Sequence, residues 1–395
     1  MQNDTTNIIP DNSEIENKPN TNQIPESNET TNKPKAIPLV VFTNGKFEIP
    51  EESRNLLQSS KYNNIGIISL VGKYRTGKSF LLNRVLLNRI EKEGFNVGPT
   101  IKPCTKGIWI WTEPLMIKNN HCSTEFPVYF IDTEGLGAYD EEINHDSKIF
   151  LIAVLISSLF IFNSFGTIDE NAINSLSFVL NLSQTIKLRA SSDKDEVEDE
   201  LCQYFPSLLW LLRDFALKLE DHNGNVITEK QYLEMALREI RGSSEIVEEK
   251  NRVRELIRKY FPERDCFVMI RPVEDEKQIQ NLQSLPDEEL REEFVQRAQI
   301  FRQKVLRKVR PKMLMKKNLT GGILVDLIQN IINSINEGSI PVIENSWKYV
   351  MESECIKKSD ILIKKFNEEY QKYKKDNILS DTLYQQATFY RISIC

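Results

Sequence analysis

Strand-like apolar runs alternate with amphipathic helical stretches through most of the chain. Short apolar runs at residues 65–71, 107–111, 128–131 and 208–212 have the length of buried strands, and residues 79–89 have helical periodicity. Strands that alternate with helices are typical of a parallel sheet covered by helices on both faces. The pattern therefore predicts an α/β fold with a mostly parallel sheet, in which ligands bind at the carboxyl ends of the strands.

The longest apolar run, residues 149–162, is shorter than the roughly 20 residues that a membrane-spanning helix needs. Two serines in its middle and an asparagine after it indicate the end of a core helix followed by a core strand at residues 159–162. We therefore expect buried elements here and no transmembrane segment.

The two ends of the chain differ from this central region. Residues 1–35 are dominated by Asn, Thr, Glu, Pro and Lys and contain no aromatic residue, so they cannot bury enough surface to offset chain entropy. We expect a disordered tail at 1–35, a folded domain at 36–345 and a charge-rich helical segment at 346–395. Within the folded domain, residues 286–309 are predicted to form one long helix.

Composition narrows the possible classes of function. The 395 residues carry a formal net charge of -6, which argues against a general electrostatic attraction to nucleic acid or to an anionic membrane. Six cysteines are scattered without a CxxC pair, and the three histidines are not at metal-ligand spacing from them. Because the N-terminus also lacks the features of a secretory signal, we expect a reduced, zinc-free, cytoplasmic protein without a nucleic-acid partner.

Residues 72–79, with the sequence GKYRTGKS, match the phosphate-loop pattern G-x-x-x-x-G-K-[ST]. The match lies directly after an apolar strand and before a helix that begins near Phe80, which is the context that the motif requires. A glycine-rich turn of this kind directs backbone N–H groups to phosphates. We expect Lys78 to reach the β and γ phosphates of a nucleotide and Ser79 to ligate Mg²⁺.

ATPases and GTPases share the phosphate loop, so other positions must distinguish them. Asp132 and Gly135 follow the apolar strand at 128–131 with the D-x-x-G spacing of GTPases. In that element the aspartate holds Mg²⁺ through water, and the glycine N–H contacts the γ-phosphate. The spacing therefore favours a GTPase switch at these residues.

Guanine can be selected by a carboxylate that accepts hydrogen bonds from both N1–H and the exocyclic amine. Two Arg-Asp pairs could supply this carboxylate. Arg213-Asp214 follows an apolar run and so lies at the carboxyl end of a strand, whereas Arg264-Asp265 precedes the strand predicted at 266–270 and lies at the opposite end. We therefore select Asp214 as the residue that recognises guanine.

Together these motifs resemble the guanylate-binding proteins, which are large dynamin-related GTPases. The resemblance rests on the segments KYRTGKS, TKGIWIW, DTEGL and RDF, which occur here in the family's order and spacing. It implies a large G domain of the phosphate-loop NTPase class at 36–345 and a C-terminal segment that begins a truncated helical domain. It also implies Mg²⁺-dependent hydrolysis of GTP to GDP and phosphate, accelerated when two G domains form a transient homodimer.

The resemblance implies roles for single residues as well. Arg75 resembles the family's built-in arginine finger, Thr105 the switch threonine that completes the Mg²⁺ shell, and Glu134 the residue that helps to position the attacking water. The catalytic residues implied are Arg75, Lys78 and Glu134, and the metal-binding residues are Ser79, Thr105 and Asp132, the last through water. The nucleotide-binding residues are Gly72, Lys73, Tyr74, Arg75, Thr76, Gly77, Lys78, Ser79, Phe80, Gly135, Arg213 and Asp214.

One position departs from the family pattern. Pro103 stands where the family usually has a serine linked to water positioning, and proline offers neither a hydroxyl nor an N–H. This leaves open an alternative function, a GTP-bound assembly or regulatory module with little or no hydrolysis. A membrane-fusion GTPase of the atlastin type shares the Arg-Asp motif, but that group carries a transmembrane hairpin and fits the TKGIW segment less well.

Overall fold

The structure is a computed structural model of the chain. It describes residues 33–60, 62, 64–89, 94–96, 107–120, 122–135, 143–176, 205–314, 317–339 and 343–375. Contacts divide the chain into the units Met1–Lys33 and Pro34–Cys395, and every element given below belongs to the second. The tail predicted at 1–35 lies almost wholly outside the described residues, and its disorder stays a prediction.

The bounds of the elements follow the predicted alternation of strands and helices. The strands are β1 (Ala36–Thr43), β2 (Lys46–Glu48), β3 (Gly66–Gly72), β4 (Ile108–Trp111), β5 (Leu115–Asn119), β6 (Cys122–Thr133), β7 (Leu159–Phe165), β8 (Ser207–Arg213), β9 (Arg264–Met269), β10 (Met313–Leu314) and β11 (Lys317–Asn318). The helices are α1 (Glu51–Gln58), α2 (Lys78–Phe80) with its π-helical continuation Leu81–Leu86, α3 (Ile143–Ile156), α4 (Glu170–Asn174), α5 (Glu229–Ala236), α6 (Glu245–Tyr260), α7 (Glu276–Ile279), α8 (Glu292–Lys308), α9 (Gly321–Asn336) and α10 (Ile343–Lys375), with short 3₁₀ turns at Leu282–Ser284 and Asp287–Glu289.

Nine strands form one sheet in the order β2-β1-β4-β6-β3-β7-β8-β9, with β5 paired to β6. The strands β6, β3, β7, β8 and β9 run parallel to their neighbours, while β2, β1, β4 and β5 join the β6 side in antiparallel pairs. The predicted α/β fold with mostly parallel central strands is confirmed. The carboxyl ends of β3, β6, β7 and β8 consequently meet at one edge of the sheet.

Alternate residues of the central strands contribute to two apolar clusters, one on each face of the sheet. On β7, Phe160 and Phe162 belong to the cluster that contains side chains of α3, α6 and α9. Leu159 and Ile161 belong to the cluster that contains side chains of the π-helix and α8. Because both faces are covered, the strands are continuous apolar runs and not alternating ones.

The apolar run at 149–162 forms part of α3 and β7, and its apolar side chains are buried. This confirms the predicted core helix followed by a core strand. Within the described ranges, the helices lack a stretch that is both long and apolar enough to cross a bilayer.

The outer edge of β2 is covered by the last residue of α9. The backbone N–H of Phe47 donates to Oδ1 of Asn336 at 2.8 Å, and Nδ2 of Asn336 donates to the carbonyl of Phe47 at 2.8 Å. One side-chain amide therefore makes both of the hydrogen bonds that a neighbouring strand would make with this residue.

The prediction of a single helix at 286–309 was wrong, because α8 begins only at Glu292. The preceding segment makes long-range contacts, and one of them uses the backbone N–H of Arg291, which a continuous helix would need for its own hydrogen bond. The N–H of Arg291 donates to the carbonyl of Pro272 at 2.8 Å. The Asp287 carboxylate accepts from the guanidinium of Arg84, with Nε at 3.1 Å and Nη2 at 2.5 Å. These contacts override the local helical periodicity.

Two other predicted elements differ in detail. The helix predicted at 79–89 starts as α-helix and widens into a π-helix that ends at Leu86, where Nε of Arg302 donates to the last carbonyl at 3.0 Å. The C-terminal helix α10 begins at Ile343, before the predicted boundary at 345, and the residues after Lys375 lie outside the described ones. The domain boundaries themselves stay a prediction.

A buried lysine lies at the opposite edge of the sheet from the carboxyl ends of β3 and β7. Lys312 is 4% exposed, and its Nζ donates to the carbonyl of Ser157, between α3 and β7, at 2.7 Å. Burial lowers the pKa of Lys312 from 10.5 to about 7, because the charged ammonium loses its hydration.

We predict that Lys312 makes the protein more stable at alkaline than at neutral pH. Between pH 7 and 10.5 the unfolded chain binds a proton at this amine that the folded chain does not, so the free energy of unfolding rises with pH in that window. The rise has an upper limit of about 5 kcal/mol, at about 1.4 kcal/mol for each pH unit. Urea unfolding at pH 7 and 9.5 should show a smaller rise in Lys312→Met than in the unchanged chain.

The matched control is Lys317→Met, which makes the same substitution at an exposed position in β11. It should keep the rise in stability between the two pH values. An equal rise in Lys312→Met and the unchanged chain would show that Lys312 does not cause it.

Candidate functional site

The segment between β3 and α2 forms a tight loop around one of its own carbonyl groups. The hydroxyl of Thr76 donates to the Lys73 carbonyl at 2.7 Å, and Nζ of Lys78 donates to the same oxygen at 3.2 Å. Arg75 and Gly77 have left-handed backbones, with φ of 63° and 71°. A turn with alternating backbone handedness directs successive N–H groups to one side, which makes a concave site for an anion.

Two buried side chains from neighbouring strands donate hydrogen bonds to the backbone of this loop. Asn163, at the carboxyl end of β7, donates from Nδ2 to the Thr76 carbonyl at 2.9 Å. Arg213, the last residue of β8, donates from Nη1 to the same carbonyl at 3.5 Å. Gly72 has no side chain because a Cβ at this position would lie 2.1 Å from the carbonyl oxygen of Asn163. The loop is thus fixed to both β7 and β8.

Lys78 is the cation inside the loop, and it is 7% exposed. Burial lowers the pKa of Lys78, while the nearby carboxylates of Asp132 and Glu134 act in the opposite direction. A phosphate group in the loop would add negative charge beside the amine and so favour its charged form.

Ser79 and Asp132 bring two oxygen atoms together beside Lys78. The hydroxyl of Ser79 donates to Oδ2 of Asp132 at 2.5 Å, and Asp132 is fully buried at the end of β6. Hydroxyl and carboxylate oxygens are the ligands that Mg²⁺ prefers, together with water and substrate phosphates. The pair therefore fits a Mg²⁺ ion. Thr105, the third predicted metal ligand, lies outside the described residues.

The D-x-x-G segment packs directly on the phosphate loop. A Cβ on Gly135 would lie 2.2 Å from the Cα of Tyr74, so only glycine allows this approach. The neighbouring residue Glu134 is fixed to the start of β4, where its N–H donates to the Gly107 carbonyl at 2.8 Å and its Oε2 accepts from the Gly107 N–H at 2.9 Å. The backbone of the segment is therefore positioned next to the anion site.

Asp214 directly follows β8 and has a left-handed backbone with φ of 54°. Its Oδ1 is buried and makes no hydrogen bond with the part of the chain that the structure describes. Burial lowers the pKa of the adjacent Arg213 to about 10, and the Asp214 carboxylate acts in the opposite direction. A buried carboxylate oxygen of this kind fits a ligand that brings N–H donors.

The second Arg-Asp pair lies at the other end of the strands. Arg264 begins β9 and is in register with Leu208 at the start of β8. The Asp265 carboxylate is neutralised by Lys304 at 3.1 Å and Lys308 at 2.9 Å. The predicted position of this pair at the amino ends of the strands is therefore confirmed, and its carboxylate is already paired.

The described structure brings the residues predicted from the sequence together at one edge of the sheet. Exposed backbone and side chains of Lys73, Tyr74 and Arg75 form the outer part of the loop, while Phe80 is buried at the end of α2. Sequence reasoning missed Asn163 as a site residue, although an asparagine directly after the apolar run at 159–162 is a usable signal. It also missed His145, whose Nε2 lies 3.4 Å from Oε2 of Glu134, because no local pattern marks this residue.

Comparison with known proteins agrees with this arrangement. A family model described as the guanylate-binding protein N-terminal domain matches residues 44–314. The chain belongs to the guanylate-binding protein family. The family resemblance inferred from the motifs is thereby confirmed.

Several curated members of the guanylate-binding protein family match most of the chain. Guanylate-binding protein 3 of Mus musculus is 37% identical over 328 residues, which is 82% of this chain and 51% of that protein. Guanylate-binding protein 6 of Homo sapiens is 38% identical over 284 residues, or 71% of this chain and 43% of that protein. Guanylate-binding protein 1 of Chlorocebus aethiops is 38% identical over 317 residues, which is 78% of this chain and 51% of that protein. The chain spans about half the length of these relatives.

We predict that Asn163 stabilises the phosphate loop of this guanylate-binding protein family member. Asn163→Ala leaves the buried Thr76 carbonyl with only the more distant Nη1 of Arg213 as a donor, and the loss of one hydrogen bond costs about 0.5–1.5 kcal/mol. The free energy of urea unfolding should fall by that amount, and nucleotide binding should weaken because the loop is less fixed.

Asn330→Ala in α9 is a matched control, since its amide also donates to a backbone carbonyl, that of Asp326 at 2.9 Å, but at a partly exposed position. The control should lose less stability and keep nucleotide binding. If the two variants behaved alike, the support assigned to Asn163 would be contradicted.

Proposed function

We propose that this chain binds GTP with Mg²⁺ and hydrolyses it to GDP and phosphate. The observation that carries the proposal is the buried Oδ1 of Asp214, which lies directly after Arg213, a residue that contacts the phosphate loop. A guanine base offers the N1–H and amine donors that this carboxylate would accept. The names of the curated relatives, guanylate-binding proteins, support the same base.

The phosphates would lie in the loop between β3 and α2. There the backbone N–H groups bind the phosphate oxygens, and Lys78 supplies a buried positive charge. Ser79 and Asp132 would hold Mg²⁺, Asp132 through water. When bound, the ion neutralises charge on the β and γ phosphates.

Hydrolysis would depend on Glu134 and Arg75. Glu134 is fixed beside the Asp132 end of β6 and would orient the attacking water. Arg75 is exposed at the outer side of the loop in a left-handed conformation, and its guanidinium would stabilise charge on the transferring phosphoryl group. We infer that this occurs when two G domains form a transient homodimer.

The proposed setting is the cytoplasm. Of the cysteines that the structure describes, Cys122, Cys266 and Cys355 are free thiols. A module that binds GTP without hydrolysing it is the second candidate, and Pro103, which lies outside the described residues, is the feature that favours it.

Whether Asp214 selects the guanine base can be tested by replacing one of its carboxylate oxygens with an amide nitrogen. Asp214→Asn keeps one acceptor oxygen but replaces the other with an amide donor, which fits xanthine because xanthine carries a carbonyl where guanine carries the amine. We expect GTP affinity to fall by about 100-fold or more, since the buried amide N–H of the variant would then face an N–H donor of guanine. XTP should bind the variant better than GTP does, as measured by competition against a fluorescent nucleotide.

Asp221→Asn, at a partly exposed aspartate in the turn after β8, should leave the order of GTP over XTP unchanged. If the Asp214→Asn variant still preferred GTP, the assignment of Asp214 to guanine recognition would be contradicted. The proposal of GTP hydrolysis would not be affected by that result.

The catalytic role of Arg75 predicts a separation of binding from turnover. Arg75→Ala should bind GTP within a few-fold of the unchanged chain but lose about 10³-fold in phosphate release, the range known for arginine fingers. Arg307→Ala, at an exposed position of α8, serves as control and should keep both properties.

Phosphate release from the unchanged chain should also increase per molecule as protein concentration rises. A specific activity that is flat with concentration would contradict the homodimer. Tight GTP binding without phosphate release in a single turnover would instead support the regulatory module.

A further inference from the structure

The carboxylate of Glu134 contacts two residues that are distant in the sequence, Gly107 and His145. Its Oε2 accepts from the Gly107 N–H at 2.9 Å and also contacts Nε2 of His145 at 3.4 Å. Because a carboxylate only accepts, the imidazole Nε2 must carry the proton in this contact. Both contacts are made to the same oxygen, and together they set the direction of the carboxylate group.

His145 belongs to a different element from the other two residues. It lies in the first turn of α3, whereas Gly107 precedes β4 and Glu134 follows β6. The side chains of His145 and Glu134 are 13% and 12% exposed. In such a partly desolvated position a polar contact is stronger than at the surface, so the ring can hold the carboxylate in one orientation.

Two aromatic rings fix the imidazole in turn. Phe47 stacks on the His145 ring with centroids 5.4 Å apart and an angle of 15°, and Phe42 meets it edge-on at 4.8 Å. Phe42 and Phe47 also contact each other at 4.8 Å. We call these two residues the aromatic clamp. Phe47 is 3% exposed, and its backbone is held by Asn336.

We propose that His145 is a positioning residue that orients Glu134 for the attack of water on GTP. This inference rests on the proposed function, since it assigns a task to a residue that acts through Glu134. The proposed role of the ring is to act through Glu134. It holds Oε2 from the α3 side while the Gly107 N–H holds it from the β4 side, and the aromatic clamp restricts the rotation of the ring.

Steady-state kinetics of three variants test the proposal. In His145→Ala, kcat should fall about 10-fold or more, a part of the ~10²–10⁴-fold that a well-placed acid or base contributes. The KM for GTP and the Kd of GDP should stay within about twofold, because the contact acts in the transition state and not in binding. His145→Gln should restore most of kcat, since its amide N–H extends about as far as Nε2 of histidine. His222→Ala, which removes an exposed histidine from the turn after β8, should match the unchanged chain.

A double variant separates positioning from a general structural effect. In a Glu134→Ala background, the additional His145→Ala change should cause no further loss of kcat. Three results would overturn the inference: an unchanged kcat in His145→Ala, a loss in His145→Gln as large as in His145→Ala, or a further loss in the double variant. Absence of GTP hydrolysis by the unchanged chain would overturn the proposed function together with the inference, so the two failures are distinguishable.

Discussion

The close approach of the backbone at Gly72 to the backbone of Asn163 is the constraint on which the site depends. A Cβ on Gly72 would lie 2.1 Å from the Asn163 carbonyl oxygen, so the chain leaves β3 over β7 only because this residue is glycine. The same approach brings the Asn163 amide under Thr76 and places the loop beside Arg213. Three neighbouring parallel strands thereby fix one short loop.

Buried charges of opposite sign balance each other around that loop. Lys78 and Arg213 are buried cations whose pKa values are lowered by loss of hydration. Asp132 and Asp214 act against this effect from the ends of β6 and β8. Without carboxylates nearby, no Coulombic attraction would offset the desolvation cost of each cation. The arrangement keeps positive charge available in a place where water is largely excluded, which strengthens its attraction for phosphate.

The features that could be predicted from the sequence depend on residues that lie close together along the chain. The loop at 72–79 could be predicted because its glycines, lysine and serine are consecutive, and the end of β8 could be predicted because its apolar run stops at Arg213. Asn163 supports Thr76 across 87 positions, and Asn336 covers Phe47 across 289. Contacts of this kind leave no periodic signal, which is also why the contacts of Asp287 and Arg291 interrupted a predicted helix.

The amide of Asn336 has a consequence for the behaviour of the protein in concentrated solution. Without it, β2 would present the N–H and carbonyl of Phe47 at the open end of a nine-stranded sheet. Exposed strand edges can pair with the same edge of another molecule and start aggregation. The side chain of Asn336 at the end of α9 thus occupies the hydrogen-bonding groups of Phe47, and a strand of another molecule cannot pair with them.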